Sequence, residues 1–173
     1  GGGLERSQAE AQVFRERQVG RMGIVGCTRE NFPLIEASTR AVLGALESHV
    51  TNTFFLFGSR PSLAEFALFG QLSQLGTDPT PQAMMRADYP YAYRWLAHMD
   101  DLSGYDGEWS GAPTDCAIRL ARIAGDVYAP FLAANAAALS AGEAEFRFEA
   151  MGHNYAQGTF KYQVKCLMDL RAR

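Results

Sequence analysis

The segment Ser62-Leu63-Ala64-Glu65 constrains the fold more than any other in this 173-residue chain. Serine followed three residues later by glutamate is a capping box. The serine oxygen accepts from a first-turn amide, and the carboxylate reaches back to the serine amide. The helix it opens carries Leu63, Phe66, Ala67, Leu68, Phe69, Leu72 and Leu75. Those residues point almost all round the axis, which predicts a rod buried at the centre of a domain. Gly70 costs about 1 kcal/mol of helix propensity against alanine, and so predicts another backbone packed closely there. A chain organised around such a rod is a helical bundle.

The flanking periodicities agree. Leu4 to about Met22 is helix-forming, with Ala9, Val13, Phe14 and Val19 as an apolar stripe and Gly20 and Gly23 at its fraying end. Phe32, Ile35, Thr39, Val42, Leu43, Leu46 and Val50 recur at three- and four-residue steps, giving an amphipathic helix that Thr51-Asn52-Thr53 ends. Gly76 to Pro81 reads as a rigid loop, because each proline pushes its predecessor out of helical geometry. A helical turn around Gln82 to Arg86 follows, then a helix from Asp88-Tyr89-Pro90 with Ala92, Trp95, Leu96, Met99 and Leu102 on one face. Pro113 to Leu139 is helical, but Pro130 must kink or break it near Tyr128. After Gly142 the period drops to two: Phe146 and Phe148 alternate with Glu145, Arg147 and Glu149, and Met151 to Asn154 reads as a hairpin turn. Phe160, Val164, Leu167, Met168 and Leu170 close the chain with a last helix.

Charge and composition narrow the function classes. Net charge is −3, and the only basic cluster, Arg15, Arg17 and Arg21, is interrupted by Glu16. That is not the broad basic stripe of a nucleic-acid surface. No apolar run approaches the ~18 residues that span a bilayer, and no charged-then-apolar leader pattern opens the chain. Cys27, Cys116 and Cys166 are odd in number and widely spaced, so neither a disulfide framework nor a metal site is expected. A reducing, cytoplasmic compartment is the simplest inference. The chain opens Gly1-Gly2-Gly3 rather than with methionine, which predicts either an upstream segment removed or a part of a longer protein.

The stretch Phe57 to Gly70 resembles the most recognisable segment of glutathione transferase C-terminal domains. There a glycine, a short turn and Ser/Thr-x-Ala-Asp open the central helix. Ser62, Ala64 and Glu65 occupy those places; glutamate stands where the family usually has aspartate, and closes a capping box equally well. Pro90 and Trp95 resemble the family's P-x-x-x-x-W segment. A bacterial group of such proteins is similar at Arg17-Gln18, Gly70-Gln71-Leu72, Asp78-Pro79-Thr80-Pro81, Pro130 to Asn135 and Lys161-Tyr162-Gln163.

The resemblance implies an all-α bundle over residues 1–141 and a ribbon-plus-helix extension over 142–173 packed on the same domain. It implies that a thioredoxin-like domain, which holds glutathione as co-substrate, is missing from the chain. What remains would line the pocket for a small electrophilic molecule and help form a homodimer, without activity alone. The pocket wall would come from Phe14, Gln18, Arg21 and Met22, which lie at three- and four-residue steps on one helix face. An apolar residue there would touch the electrophile, and Gln18 or Arg21 would steer a carboxylate. The alternative is a non-catalytic interaction or assembly module of the same fold.

No residue reads as catalytic. His49 sits at a helix end, where a cation offsets the dipole; His98 neighbours Asp100 and Asp101, and His153 falls in the turn. None has the partners of a triad or a metal site. Cys27 precedes a helix start, a context that depresses a thiol pKa, but a small apolar packing role fits it as well. Tyr89, Tyr91 and Tyr93 read as core and rim aromatics.

Overall fold

A computed structural model describes residues 2–172. Its elements run α1 (Gly2–Met22), α2 (Phe32–His49), α3 (Leu63–Thr77), α4 (Pro79–Asp88), α5 (Pro90–Met99), α6 (Asp115–Ile123), α7 (Ala129–Ala141), β1 (Glu145–Ala150), β2 (His153–Gly158) and α8 (Lys161–Arg171). A 3₁₀ turn, Gly23–Val25, follows α1, and a π-helical turn, Ala124–Tyr128, stands between α6 and α7. The fold is mainly helical with one small antiparallel ribbon. The chain divides into two compact units: residues 38–125, and residues up to 37 together with those from 126 onward.

The core of the 38–125 unit gathers Leu43 and Leu46 of α2, Phe55 and Leu56 of the next loop, Met85 of α4, Trp95 and Met99 of α5, and Cys116 of α6. Trp95 is 2% exposed, and its indole N–H donates to the Phe54 carbonyl at 3.1 Å. Burying a side chain of this kind contributes about 1.5–3 kcal/mol. The loop after α2 is clasped by the one before α6: Ser59 N donates to Glu108 O at 2.9 Å and Ser110 N to Phe57 O at 2.7 Å. Gly58, at φ +139°, lies where a Cβ would collide with the Glu108 carbonyl, so only glycine lets the two backbones approach.

Helix α3 is not the buried hub. Leu63 is 87% and Phe66 48% exposed, and only Glu65 and Leu72 of the helix are buried. Gly70 has nothing within 4 Å of where its Cβ would stand, so no backbone packs there. The reason is geometric. α3 packs on α4 and α5 with Leu72 and its neighbours, and this leaves the face carrying Leu63, Phe66 and Gly70 open. An apolar pattern all round a helix says that every face can be buried, not that each has a partner.

The Pro79-Thr80-Pro81 segment is helical rather than a loop. Asp78 caps α4 by accepting from Thr80 N at 3.0 Å, and Pro79 sits in the first turn, where a missing amide donor costs nothing. The first turn of α5 is capped from a distance. Glu47 of α2 accepts from Ala92 N at 2.8 Å and Tyr91 N at 3.3 Å, supplying what Tyr89, the N-cap residue, does not.

In the other unit, α7 packs on β1 and α8. The break expected near Tyr128 takes the form of the π-helical turn that ends there, two residues before Pro130. Phe131 stands edge-on to Phe146 with centroids 5.0 Å apart, and Phe148 lies 5.2 Å from Tyr155. β1 and β2 pair in register from Glu145–Gly158 to Ala150–His153. Their turn is the two residues Met151 and Gly152, at φ 52° and 74°, which is the primed geometry that suits a twisted hairpin. His153 and Asn154, expected within the turn, begin β2 instead.

Candidate functional site

Phe14, Gln18, Arg21 and Met22 all lie on α1, and the helix holds them on one face. All four are exposed, Phe14 to 61% and Met22 to 36%. Every residue from Arg6 to Val25 is exposed, including Val13 and Val19 of the apolar stripe. Among the described residues, Arg21 has no carboxylate within ion-pair distance. Ala9, Glu10, Val13 and Arg17 form a shallow depression with Phe14. The helix thus presents an apolar ring, a flexible thioether, an amide and a cation side by side, a set able to seat a flat apolar molecule and orient an anionic substituent.

Ser62 and Glu65 form the capping box in full. The Ser62 hydroxyl accepts from Ala64 N at 3.1 Å, and Glu65 Oε2 accepts from Ser62 N at 2.8 Å and from the Ser62 hydroxyl. The other carboxylate oxygen accepts from Leu56 N. Glu65 is fully buried, and these donors replace the water it gives up.

His49 and Cys116 are both held in hydrogen bonds within the 38–125 unit. His49 is 9% exposed, and burial holds its pKa below the usual histidine value. It is therefore a neutral ring rather than the cation expected at a helix end. Its Nε2 lies 3.1 Å from Phe55 O, which can only accept, so the proton is on Nε2 and Nδ1 takes the Thr53 hydroxyl at 3.2 Å. The Cys116 thiol is buried, donates to Ala45 O at 3.3 Å, and is pushed up to about 11 by desolvation. Cys27 is half-buried beside Tyr155. Desolvation, with the Cys27 thiol adding to it, raises the Tyr155 phenol, which donates to Gln157 Oε1 at 2.6 Å. Neighbouring Gly26, at φ +73°, lies where any Cβ would strike that hydroxyl. No group of three potential metal ligands occurs among the described residues.

Comparison with known families decides what this geometry belongs to. The family described as glutathione S-transferase, C-terminal domain, matches residues 14–98, from the exposed face of α1 through the capping box to the end of α5. This stretch is similar to a glutathione S-transferase C-terminal domain. No curated protein and no solved structure matches the chain. The matched segment includes both the box at Ser62 and the face at Phe14 to Met22.

Several polar residues that organise the chain escape a reading by pattern. Asn31 is fully buried; its amide donates to Gly26 O at 2.7 Å and Ala156 O at 2.8 Å and accepts from Ala156 N at 3.0 Å. Asn135, also fully buried, donates to Phe160 O at 3.0 Å and accepts from Phe160 N at 2.9 Å. Asn135 carried a signal: an asparagine amid the alanines of α7 lowers helix propensity and asks for a compensating role. Glu47, the remote cap of α5, carried none.

Proposed function

We propose that this chain forms the electrophile-side wall of a glutathione transferase and works with a thioredoxin-like domain that holds glutathione as co-substrate. The carrying observation is that the matched transferase segment includes a solvent-facing set of Phe14, Gln18, Arg21 and Met22. In this reading Phe14 and Met22 contact the apolar body of the small electrophile, and Arg21, helped by Gln18, steers a negatively charged substituent. The parent reaction is addition of the glutathione thiolate to the electrophile, or thiol-dependent reduction of it. The wall binds and orients; the thiol is activated by the other domain. The chain alone is inactive on this reading, and the cytoplasm is its compartment.

The test uses purified chain, glutathione and 1-chloro-2,4-dinitrobenzene. The expected result is no conjugation above the uncatalysed rate, and a measurable kcat refutes the division of labour. In the complete transferase, Phe14→Ala with Met22→Ala raises KM for the aryl halide several-fold and leaves KM for glutathione unchanged. Equal effects on both would remove the wall assignment.

A second reading, a non-catalytic interaction or assembly module, is favoured by the exposure of Val13 (66%) and Phe14 (61%) on α1, since grouped exposed apolar residues mark association surfaces. Sedimentation velocity distinguishes it. A dimer lost on Phe14→Glu, with aryl-halide kinetics unaltered in the complete protein, supports assembly over substrate contact.

A further inference from the structure

The two-stranded ribbon has two edges, and one is already taken. The Asn31 side-chain amide donates to Ala156 O at 2.8 Å and accepts from Ala156 N at 3.0 Å, as a third strand beside β2 would. In an antiparallel pair, opposite residues either bond each other or both turn their N–H and C=O outward. Ala156 bonds outward, so Arg147, its partner on β1, also points outward on the far side. Glu145 and Glu149, two residues to either side, do the same. Among the described residues nothing bonds the N–H and C=O of Arg147 and Glu149. This is an open strand edge, the kind of surface that an extended segment joins.

The side chains along that edge alternate in kind. Phe146 and Ala150 are buried on the face that α7 covers, with Phe148 partly buried beside them. Glu145, Arg147 and Glu149 are exposed on the opposite face. Arg147 is paired with Glu145 at 2.7 Å and Glu30 at 3.5 Å, but every partner is more than half exposed, and such pairs exchange at little cost. Glu149 has no cation within ion-pair distance among the described residues. Directly opposite side chains on neighbouring strands attract when their charges differ and repel when they match. A strand laid beside β1 is therefore favoured when it sets an acid against Arg147 and bases against Glu145 and Glu149. Its intervening residues turn toward the α7 side, where apolar side chains fit.

A second copy of the chain suits this edge poorly. α7 packs on β1. Antiparallel pairing of two β1 strands would hold both α7 helices on one face, above strands only about 4.8 Å apart, whereas packed helix axes need about 8–10 Å. A single extended segment brings no helix of its own. We propose that the free edge of β1 takes up an extended segment of a partner protein with the pattern basic, apolar, acidic, apolar, basic. β1 lies outside residues 14–98, so this proposal stands or falls separately from the electrophile wall.

Fluorescence anisotropy of the full chain with the labelled peptide SKVEVKS tests it, against the charge-reversed SEVKVES and against SKVEVKS N-methylated at its glutamate. Three opposing pairs change sign between the first two peptides, so SKVEVKS should bind about tenfold or more tighter. N-methylation removes the peptide amide that faces Arg147 O and should abolish binding. Hydrogen exchange at the Arg147 and Glu149 amides should slow when SKVEVKS is added. The protein carrying Glu145→Lys, Arg147→Glu and Glu149→Lys should prefer SEVKVES instead. No measurable SKVEVKS binding, equal binding of the two peptides, or undiminished binding of the N-methylated one overturns the proposal. So does a preference that the charge-reversed protein leaves unchanged. Sedimentation velocity without peptide covers the remaining occupant: a dimer whose Arg147 and Glu149 amides are already protected would mean that a second copy holds the edge, and overturns the peptide assignment.

Discussion

The carboxylate of Glu65 accepts the backbone amide of Leu56, nine residues earlier in the chain. The same side chain holds Ser62 N and the Ser62 hydroxyl, so one buried carboxylate ties the incoming loop to the helix it starts. Helix capping by itself is worth about 1 kcal/mol. Here removing the acceptor also strands buried donors, each costing about 1–3 kcal/mol. Glu65→Ala is therefore expected to destabilise the fold by about 3 kcal/mol or more, read as a lower urea midpoint at unchanged slope. Glu65→Asp, one methylene short of Leu56 N, should fall between the two. A midpoint unchanged in Glu65→Ala would mean that the buried network contributes nothing.

Much of this was legible because capping chemistry is local. Ser62 and Glu65 sit three residues apart, and the sequence alone specifies their reciprocal bonds. The hairpin at Phe146 and Phe148 and the break before Pro130 are equally local, the first a two-residue alternation and the second a missing amide. What failed was non-local. That Leu63 and Phe66 face solvent depends on which helices come to lie beside α3, and no periodicity encodes that. The Pro79-Thr80-Pro81 segment departs from the expected loop for a related reason: the same prolines that break a helix interior are tolerated in a first turn, and Asp78 makes this one a first turn. At the site, the grouping of Phe14, Gln18, Arg21 and Met22 followed from helix geometry. The close approach of Gly76 to Leu96 and Tyr93 of α5 is a contact that only the fold reveals.

Asn31 offers a test of polar satisfaction in the other unit. Its amide N–H group faces two carbonyls, Gly26 O and Ala156 O. Asn31→Ala leaves those groups unpaired and should cost about 2 kcal/mol. Asn31→Asp keeps the shape but turns a carboxylate oxygen toward the carbonyls in a fully buried position, so at pH 7 it should cost more than the alanine variant. Thermal melts of the two variants at pH 7 check the order; aspartate melting above alanine would contradict the bonding described.

The three thiols should separate by reactivity. Cys116 is 4% exposed, and its thiol is raised to about 11 by desolvation, so its thiolate is scarce at pH 8, and only the thiolate attacks a disulfide reagent. Cys27 and Cys166 are half-buried. Ellman titration of native protein at pH 8 should label Cys27 and Cys166 within minutes and Cys116 only after denaturant is added. Peptide mapping showing early Cys116 labelling would mean that the α2–α6 contact opens readily.

His49 links stability to pH. Burial lowers its folded pKa below the ordinary 6.5, outweighing the raising influences of the Phe55 carbonyl and Glu65. Between the folded and unfolded pKa values the unfolded chain carries the extra proton, so acidification favours unfolding. The neutral ring's contribution is complete above pH 6.5 and is lost as pH falls from there toward the lowered folded pKa. Urea midpoints at pH 7.5 and 5.5 should therefore differ in the wild type, with the lower value at pH 5.5. Carboxylates also titrate toward the acid end of that window, so the diagnostic quantity is the difference from His49→Gln. That variant can still offer a donor toward Phe55 O but cannot titrate, and its midpoint should fall less between the same pH values. Parallel pH slopes in the two proteins would show that His49 keeps its ordinary pKa, and hence that the ring is wetter than the bonds to Phe55 and Thr53 imply.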